Sequence, residues 1–411
     1  MILTIKEYDK IQIRQHRDLA NKQISKNDAS YLQSIVIEDT PVFKLGNRCL
    51  VAQQWVGIIA LPDFSIEILP KLSAVVSPDN CREILTRMLL VSHQPLATKK
   101  LPAAVAFRKN SLVEVLISTF LSSLEYYIKN GLLNSYVKIH SNLDVVKGRI
   151  LFSKQFNQNI LSPTRFHCIY SKYVHDNPLN QFFLCCLHEM QRVSKDSDNK
   201  ARIRSAMMCF ENVRPTSVPV AISQNITFNS TNKTAYEAYM YGKLFLENHS
   251  VTISAGHTQM SMMLFDMNRL FETFICQCLR HAYGNKVLYQ SSKNYLVIDP
   301  ATQRKYVKLR PDIILKISSS ESIVIDTKWK LPQKFAKESD IHQMNAYSTS
   351  IPNISKVYLL FPETANTQQF SGDFDFLSFD GHVRELGIRA VDMSRCLNWN
   401  DFLLHLKSLF Q

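Results

Sequence analysis

Residues 309–330 read LRPDIILKISSSESIVIDTKWK, and this stretch constrains the fold more than any other part of the chain. Two apolar, β-branched runs, 312–317 and 323–325, flank a Ser-Ser-Ser-Glu-Ser segment. Runs of this kind joined by a short polar turn predict a β-hairpin. Folding it about Ser320 brings Asp312, just after a proline, beside Asp326-Thr327-Lys328. Positions two apart on a strand share a face, so Asp326 and Lys328 point the same way. Two carboxylates and one ammonium then converge on one patch of sheet. Carboxylate oxygens suit a hard cation such as Mg²⁺. A neighbouring Lys can orient a water or steady a growing negative charge. The plainer alternative is that Asp326, after Ile-Val-Ile, is the last solvated residue of a buried strand.

A second signal follows at 339–347, SDIHQMNAY. Ser339 or Asp340 is the expected N-cap of a helix. Gln343 and Tyr347 are four apart and share a face of it. Gln343 joins the candidate catalytic set, whereas Tyr347 reads as a packing residue. In pattern terms this is PD-x(n)-(D/E)-x-K followed by Q-x(3)-Y, which resembles the restriction-endonuclease-like nuclease superfamily.

The 411 residues suffice for two or three domains. Net charge is +13, from 48 basic against 35 acidic side chains, a balance that favours polyanions through counterion release. No run approaches eighteen apolar residues and the start lacks a secretory pattern, so no membrane association is expected. The scattered cysteines form no C-x-x-C pair, which argues against zinc and against a disulfide framework, and the expected location is the cytoplasm.

Three blocks are expected: a β-rich domain over 1–105, a mainly helical middle domain over 106–250, and an α/β nuclease core over 251–411. The fold class is thus multidomain α+β. In the first block, 56–61 and 64–69 pair naturally as strands around Pro62-Asp63. In the second, Ser111 to Glu114 reads as a capping box, Asn130-Gly131 ends its helix, and Asn177-Pro178 opens another. A further helix spans about 234–247; its Tyr236, Tyr239 and Tyr241 suit a core better than a base-stacking surface. Lys147-Gly148-Arg149 is either a phosphate or partner contact or a solvated basic turn. In the third block, 265–282 reads as a helix whose one glutamate is Glu272. Strand-like 294–298 and 357–362 and a closing helix over 400–410 complete it.

Taken in order, GIIALPDFSIEILPK (57–71), VKGRI (146–150), NPLN (177–180), FDMNRLFETF (265–274), Pro311-Asp312, IDTK (325–328), QMNAY (343–347) and YLLFP (358–362) resemble the McrC family, the nuclease subunits of McrBC-type modification-dependent restriction systems. Together these motifs are far more specific than D-x-K alone. The resemblance implies that Asp312, Asp326 and Lys328 form the cleavage site. It implies Mg²⁺, with Mn²⁺ as substitute, held by Asp312, Asp326 and, with less certain alignment, Glu272. It implies a separate McrB-like AAA+ GTPase as partner and methylated double-stranded DNA, carrying 5-methylcytosine, as substrate. The chain has no G-x(4)-G-K-[ST] nucleotide loop of its own, in keeping with that division of labour. Two rival readings stand beside it: a stand-alone Mg²⁺-dependent repair or recombination nuclease, and a non-cutting subunit that activates an NTPase.

Overall fold

The computed structural model describes residues 2–72, 76–93, 112–160, 164–254, 258–291, 294–330, 335–364, 367, 369–377 and 383–410. The chain forms two compact units, 1–115 with 248–411, and 116–247. It is a mixed α/β multidomain protein. Among the described residues no helix is long and apolar enough to cross a membrane.

In the first unit, strands β1 (Ile2–Lys6), β2 (Trp55–Ala60) and β3 (Ser65–Leu69) start a five-stranded sheet. β2 and β3 pair antiparallel around Pro62-Asp63, as their alternation suggests, and β1 joins β3 in parallel. The sheet is completed from far along the chain by β7 (His249–Ser254) and β8 (Thr258–Asp266), with β8 antiparallel to β2. This pairing places the expected first and third blocks in one compact unit. Gly57 permits it: with φ +135°, any Cβ there would lie 2.0 Å from the Met263 carbonyl oxygen of β8. A smaller sheet of Lys10–Arg14, Gln23–Ser25, Phe43–Gly46 and Cys49–Ala52 shares its core through Ile11, Ile24, Phe43 and Leu50.

The second sheet of this unit has six strands. Along the chain they are β9 (Val287–Tyr289), β12 (Ile313–Lys316), β13 (Ser322–Thr327), β14 (Ile354–Pro362), β15 (Gly372–Asp375) and β16 (Glu385–Val391). Their order across the sheet is β9-β12-β13-β14-β16-β15. β10 (Tyr295–Ile298) and β11 (Lys305–Lys308) form a separate two-stranded ribbon between β9 and β12 in the chain. The expected hairpin is present: β12 and β13 pair antiparallel with Ile313 opposite Ile325. β13 then pairs in parallel with β14, which requires a crossover, and helix α6 (Glu338–Ser350) supplies it. Met344 and Tyr347 of α6 share a core with Val324, Val357 and Leu359.

Three helix boundaries differ from expectation for local reasons. Helix α5 runs Met267–Tyr283 and not from 265, because Phe265 is claimed by the β8–β2 ladder and the Asp266 carboxylate caps the Asn268 N–H at 2.7 Å. Helix α6 starts after Lys337 with no side-chain cap; Asp340, expected as a cap, pairs instead with Lys330 Nζ at 3.1 Å. The closing helix α7 is Trp399–Ser408, capped by Asn398. Helix α1 (Pro78–His93) also belongs to this unit, where the Arg87 guanidinium donates to the Cys396 carbonyl at 2.8 Å.

The second unit holds most of α2 (Leu112–Lys129), α3 (Pro178–Val193) and α4 (Tyr236–Asn248). Asn177 caps α3 with Pro178 at its first turn, and Gly131, at φ +95°, ends α2, both as expected. The capping box at Ser111 lies outside the described residues. The buried rings of Phe120, Tyr127, Phe182, Phe183 and Phe245 make this a packed core, and Tyr239 and Tyr241 are buried with them. The expectation of a mainly helical block misses a sheet of β4 (Ser135–Leu143), β5 (Arg149–Ile150) and β6 (Phe166–Val174). No residue of β4 is buried, although Val137, Ile139 and Leu143 alternate with Lys138, His140 and Asn142, a strand signal that the helical reading of this block passes over. Gly148, at φ +70°, lets the turn before β5 close on the Ile169 carbonyl, while Lys147 lies 4.6 Å from the Tyr170 ring centroid.

One buried contact ties the front of the chain to the second sheet. The fully buried Glu7 carboxylate accepts from the Trp329 indole N–H at 2.9 Å and from the Lys71 backbone N–H at 3.1 Å. Burial pushes its pKa up to about 8, against those two hydrogen bonds, from 4.5 when unperturbed. The folded state therefore binds this proton more tightly, and Glu7 removes stability as pH rises from about 4.5 through about 8. The melting temperature of the wild type should fall relative to that of Glu7→Gln across that interval. Parallel curves for the two proteins would contradict this assignment.

Candidate active site

The site is built at the carboxyl ends of β13 and β14, where the hairpin, α5 and α6 meet. Asp312 stands just before β12, and its Oδ2 accepts from the Thr327 backbone N–H at 2.8 Å and the Thr327 hydroxyl at 3.0 Å. The antiparallel register thus places Asp312 across from the end of β13, as the hairpin pattern implies. Asp326 is fully buried. One of its oxygens is ion-paired with Lys328 Nζ; its Oδ1 meets no hydrogen-bond donor among the described residues. The Lys328 backbone N–H donates to the Leu360 carbonyl at 2.9 Å, so β14 holds the residue beyond the end of β13.

Gln343 completes the polar row. Its Oε1 accepts from Lys328 Nζ at 3.1 Å and its Nε2 donates to the Tyr347 hydroxyl at 2.8 Å. That hydroxyl donates to the Arg310 carbonyl at 3.1 Å. The i, i+4 spacing is what makes this bridge. Tyr347 is a packing residue, as expected, being 3% exposed, but it also fixes which way the Gln343 amide points.

Glu272 lies on α5, held by the Gln290 side chain, whose Nε2 donates to it at 2.7 Å. The Gln290 backbone N–H donates to the Asp312 carbonyl at 2.8 Å, and its Oε1 accepts from Arg310. Gln290 has φ +46°, an uncommon conformation for a side-chain-bearing residue. It links Glu272, Asp312 and Arg310. Nothing in the sequence marks Gln290, since a single Gln after a three-residue strand has no pattern around it.

The electrostatics follow from crowding. Burial raises the pKa of Asp326, and the Asp312 charge raises it further, against Lys328. Asp312 is also raised by burial, against its hydrogen bond from Thr327. Glu272 is raised by burial and then by Asp312, so the Asp312 charge bears on both of the other carboxylates. Burial works against the charge of Lys328, but Asp326 outweighs it and the Lys pKa rises. Among the described residues, no three His, Cys, Asp or Glu side chains are gathered into a ready metal-holding group. A hard divalent cation nonetheless fits Asp312 and Asp326, because a buried carboxylate oxygen without a donor lacks the partner that burial demands. Glu272 stands further back, on Gln290.

Comparison with known proteins agrees with this arrangement of motifs. The family profile described as McrBC 5-methylcytosine restriction system component matches residues 50–362. The chain belongs to this family. Its resemblance to McrC, read from the ordered motifs, is borne out. A search of curated proteins finds no match. Among solved structures, the chain is similar over 100% of its length and 100% of the other's to a chain in the refined half-complex from a tetradecameric assembly of Thermococcus gammatolerans McrB AAA+ hexamers with bound McrC, at 19% identity and TM-score 0.67. A second similarity is to the cryo-electron microscopy structure of the Thermococcus gammatolerans McrBC complex, at 22% identity, over 68% of this chain and 87% of that one, with TM-score 0.48. The family match spans both units and includes Glu272, Asp312, Asp326, Lys328 and Gln343.

Removing the Tyr347 hydroxyl isolates the polar row. Tyr347→Phe leaves the Arg310 carbonyl and one Gln343 N–H without this partner in a largely buried place. Urea unfolding should report a loss of about 1–3 kcal/mol. A variant as stable as the wild type would show that the row contributes nothing to holding α6 on the hairpin.

Proposed function

We propose that this chain is the DNA-cutting subunit of a restriction complex directed at DNA carrying 5-methylcytosine. It hydrolyses phosphodiesters with Mg²⁺ and stimulates a partner AAA+ GTPase. The observation that carries the reading is Asp326: a fully buried carboxylate with an oxygen that meets no donor among the described residues, beside Asp312 and paired with Lys328. The six-stranded sheet with its crossover helix is read as a PD-(D/E)xK nuclease core on the same residues. The family description and the McrB hexamers with bound McrC in the similar structure support the assignment to a restriction system with an AAA+ partner.

In this reading Asp312 and Asp326 hold the divalent cation, with Glu272 as a further carboxylate behind them. Such a cation supplies positive charge to the phosphate oxygens and eases deprotonation of water. Lys328 orients the attacking water and steadies the charge that builds on the phosphate. Gln343 keeps the ammonium aimed, since its Oε1 accepts from Nζ and its own amide is locked by Tyr347. The water oxygen bonds to phosphorus as the bond to the leaving sugar oxygen breaks, and the departing oxygen takes up a proton.

Asp326→Ala and Lys328→Ala should each lower DNA cutting by on the order of 10²–10³, the usual consequence of losing one preorganised charge. Both should still stimulate GTP turnover by the partner. Excess EDTA should abolish cutting by the wild type. Measuring turnover and cleavage in parallel on methylated and unmethylated duplexes, with and without the partner, separates the readings. Cutting by the isolated chain with Mg²⁺ alone would favour a stand-alone nuclease. Full cutting by Asp326→Ala would remove the nuclease assignment altogether.

Mg²⁺ should also raise the melting temperature of the wild type, because a ligand that binds only the folded state stabilises it. The rise should vanish in Asp326→Asn. An equal rise in both proteins would place the cation elsewhere.

A further inference from the structure

The ribbon of β10 and β11 has no place in the core. All of its strand residues are exposed on both faces. Leu296, Val297, Ile298 and Val307 are apolar and 44–60% exposed, and Tyr295 and Tyr306 stand among them. A two-stranded ribbon with no buried face is marginal by itself, and exposed apolar groups gathered on one element mark an interaction surface. Charge narrows the partner. The ribbon and its base carry Arg304, Lys305, Lys308 and Arg310 against a single acid, Asp299. Asp299 is turned into the loop, where it accepts from the Thr302 hydroxyl at 2.6 Å and the Ala301 N–H at 2.9 Å.

Both ends of the ribbon are anchored at the candidate active site. The chain enters from Gln290, which bonds the Asp312 carbonyl, and leaves through Arg310, whose carbonyl is held by Tyr347. The buried Leu309 N–H donates to the Asn294 carbonyl at 2.9 Å and closes the base. Val307, a β-branched residue at φ +54°, holds a strained conformation in the middle of β11. Strain of this kind concentrates where a segment is shaped for a ligand.

We propose that this ribbon is an arm that grips duplex DNA beside the cleavage site, an inference that rests on the nuclease reading above. A two-stranded β-ribbon fits the major groove. The basic side chains meet phosphates, and the apolar ones face sugars and base edges, including pyrimidine methyl groups. From Tyr295 to Ile298 the ribbon reaches roughly 13 Å at ~3.3 Å per residue. That spans about four base pairs at ~3.4 Å each, on one side of the scissile phosphate.

The test uses the full chain carrying Asp326→Ala, so that DNA is bound and not cut, with and without the triple substitution Arg304→Gln, Lys305→Gln and Lys308→Gln. Affinity for a fluorescein-labelled 30-base-pair duplex is measured by anisotropy over a salt series. The triple variant should bind about tenfold more weakly or worse, and its log–log salt slope should be shallower by about 2.7, at ~0.9 per lost phosphate contact. A melting curve and a second variant, Tyr306→Ser, guard against misfolding; Tyr306→Ser should weaken binding without changing the slope. Unchanged affinity and slope in a folded triple variant overturn the proposal. So does intact DNA binding with lost stimulation of the partner GTPase in the absence of DNA, which would assign the ribbon to the protein partner. Cleavage by the Asp326→Ala chain would sink the nuclease reading instead, whatever the ribbon does.

Discussion

The structure around the site depends on holding Asp326 in the interior with an oxygen that meets no donor among the described residues. Burying a carboxylate costs several kcal/mol even when it is paired. Here the pairing is one-sided: Lys328 meets one oxygen and the other meets no donor among the described residues. The surroundings resist the two easy escapes. Moving the carboxylate outward is blocked because β13 is clamped between β12 and β14 and its end is held by the Leu360 carbonyl. Swinging Lys328 away is opposed by Gln343, which Tyr347 in turn fixes. What remains is protonation, the direction in which burial and Asp312 push. A cation that replaces the proton would relieve the same strain.

Much of this was legible in the sequence because it is local. The hairpin follows from β-branched runs around a polar turn, and its register places Asp312 at Thr327 without help from elsewhere. Gln343 and Tyr347 were joined by helical spacing alone. The limits appear where a contact crosses a long stretch of chain. Glu7 reads as one charged residue after a short strand, yet it is fully buried and bonded to Trp329, the residue after Lys328. Phe265 continues an amphipathic helix by its pattern, yet the ladder with β2 claims it. Local periodicity cannot weigh a strand pairing with a partner some two hundred positions away.

That pairing also explains why a division into three consecutive blocks does not describe the first unit. β7 and β8 complete a sheet begun by the first residues, and α5 leaves directly from β8 through the Asp266 cap. Glu272 is thus carried on a helix whose start is set by the front sheet. Glu7 reaches the same neighbourhood from the other side, because Trp329 packs against Phe271, the residue before Glu272, with ring centroids 5.2 Å apart. A front sheet that only served as an attachment surface would not need a buried carboxylate on the flank of β13. Its contacts give it a second task, which is to set where α5 stands relative to the hairpin.

The second unit, by contrast, supplies no candidate catalytic residue. Its core is aromatic and tightly closed, to the point that a Cβ on Gly242 would lie 2.8 Å from the Cys186 sulfur. Its outward features are of another kind: the paired, exposed rings of Tyr136 and Tyr173 on β4 and β6, tilted against each other with centroids 4.8 Å apart, and the exposed Lys147 and Arg149 around Gly148. Exposed aromatic and basic side chains on a rigid antiparallel sheet are suited to recognition and poorly suited to burying a reacting phosphate from water.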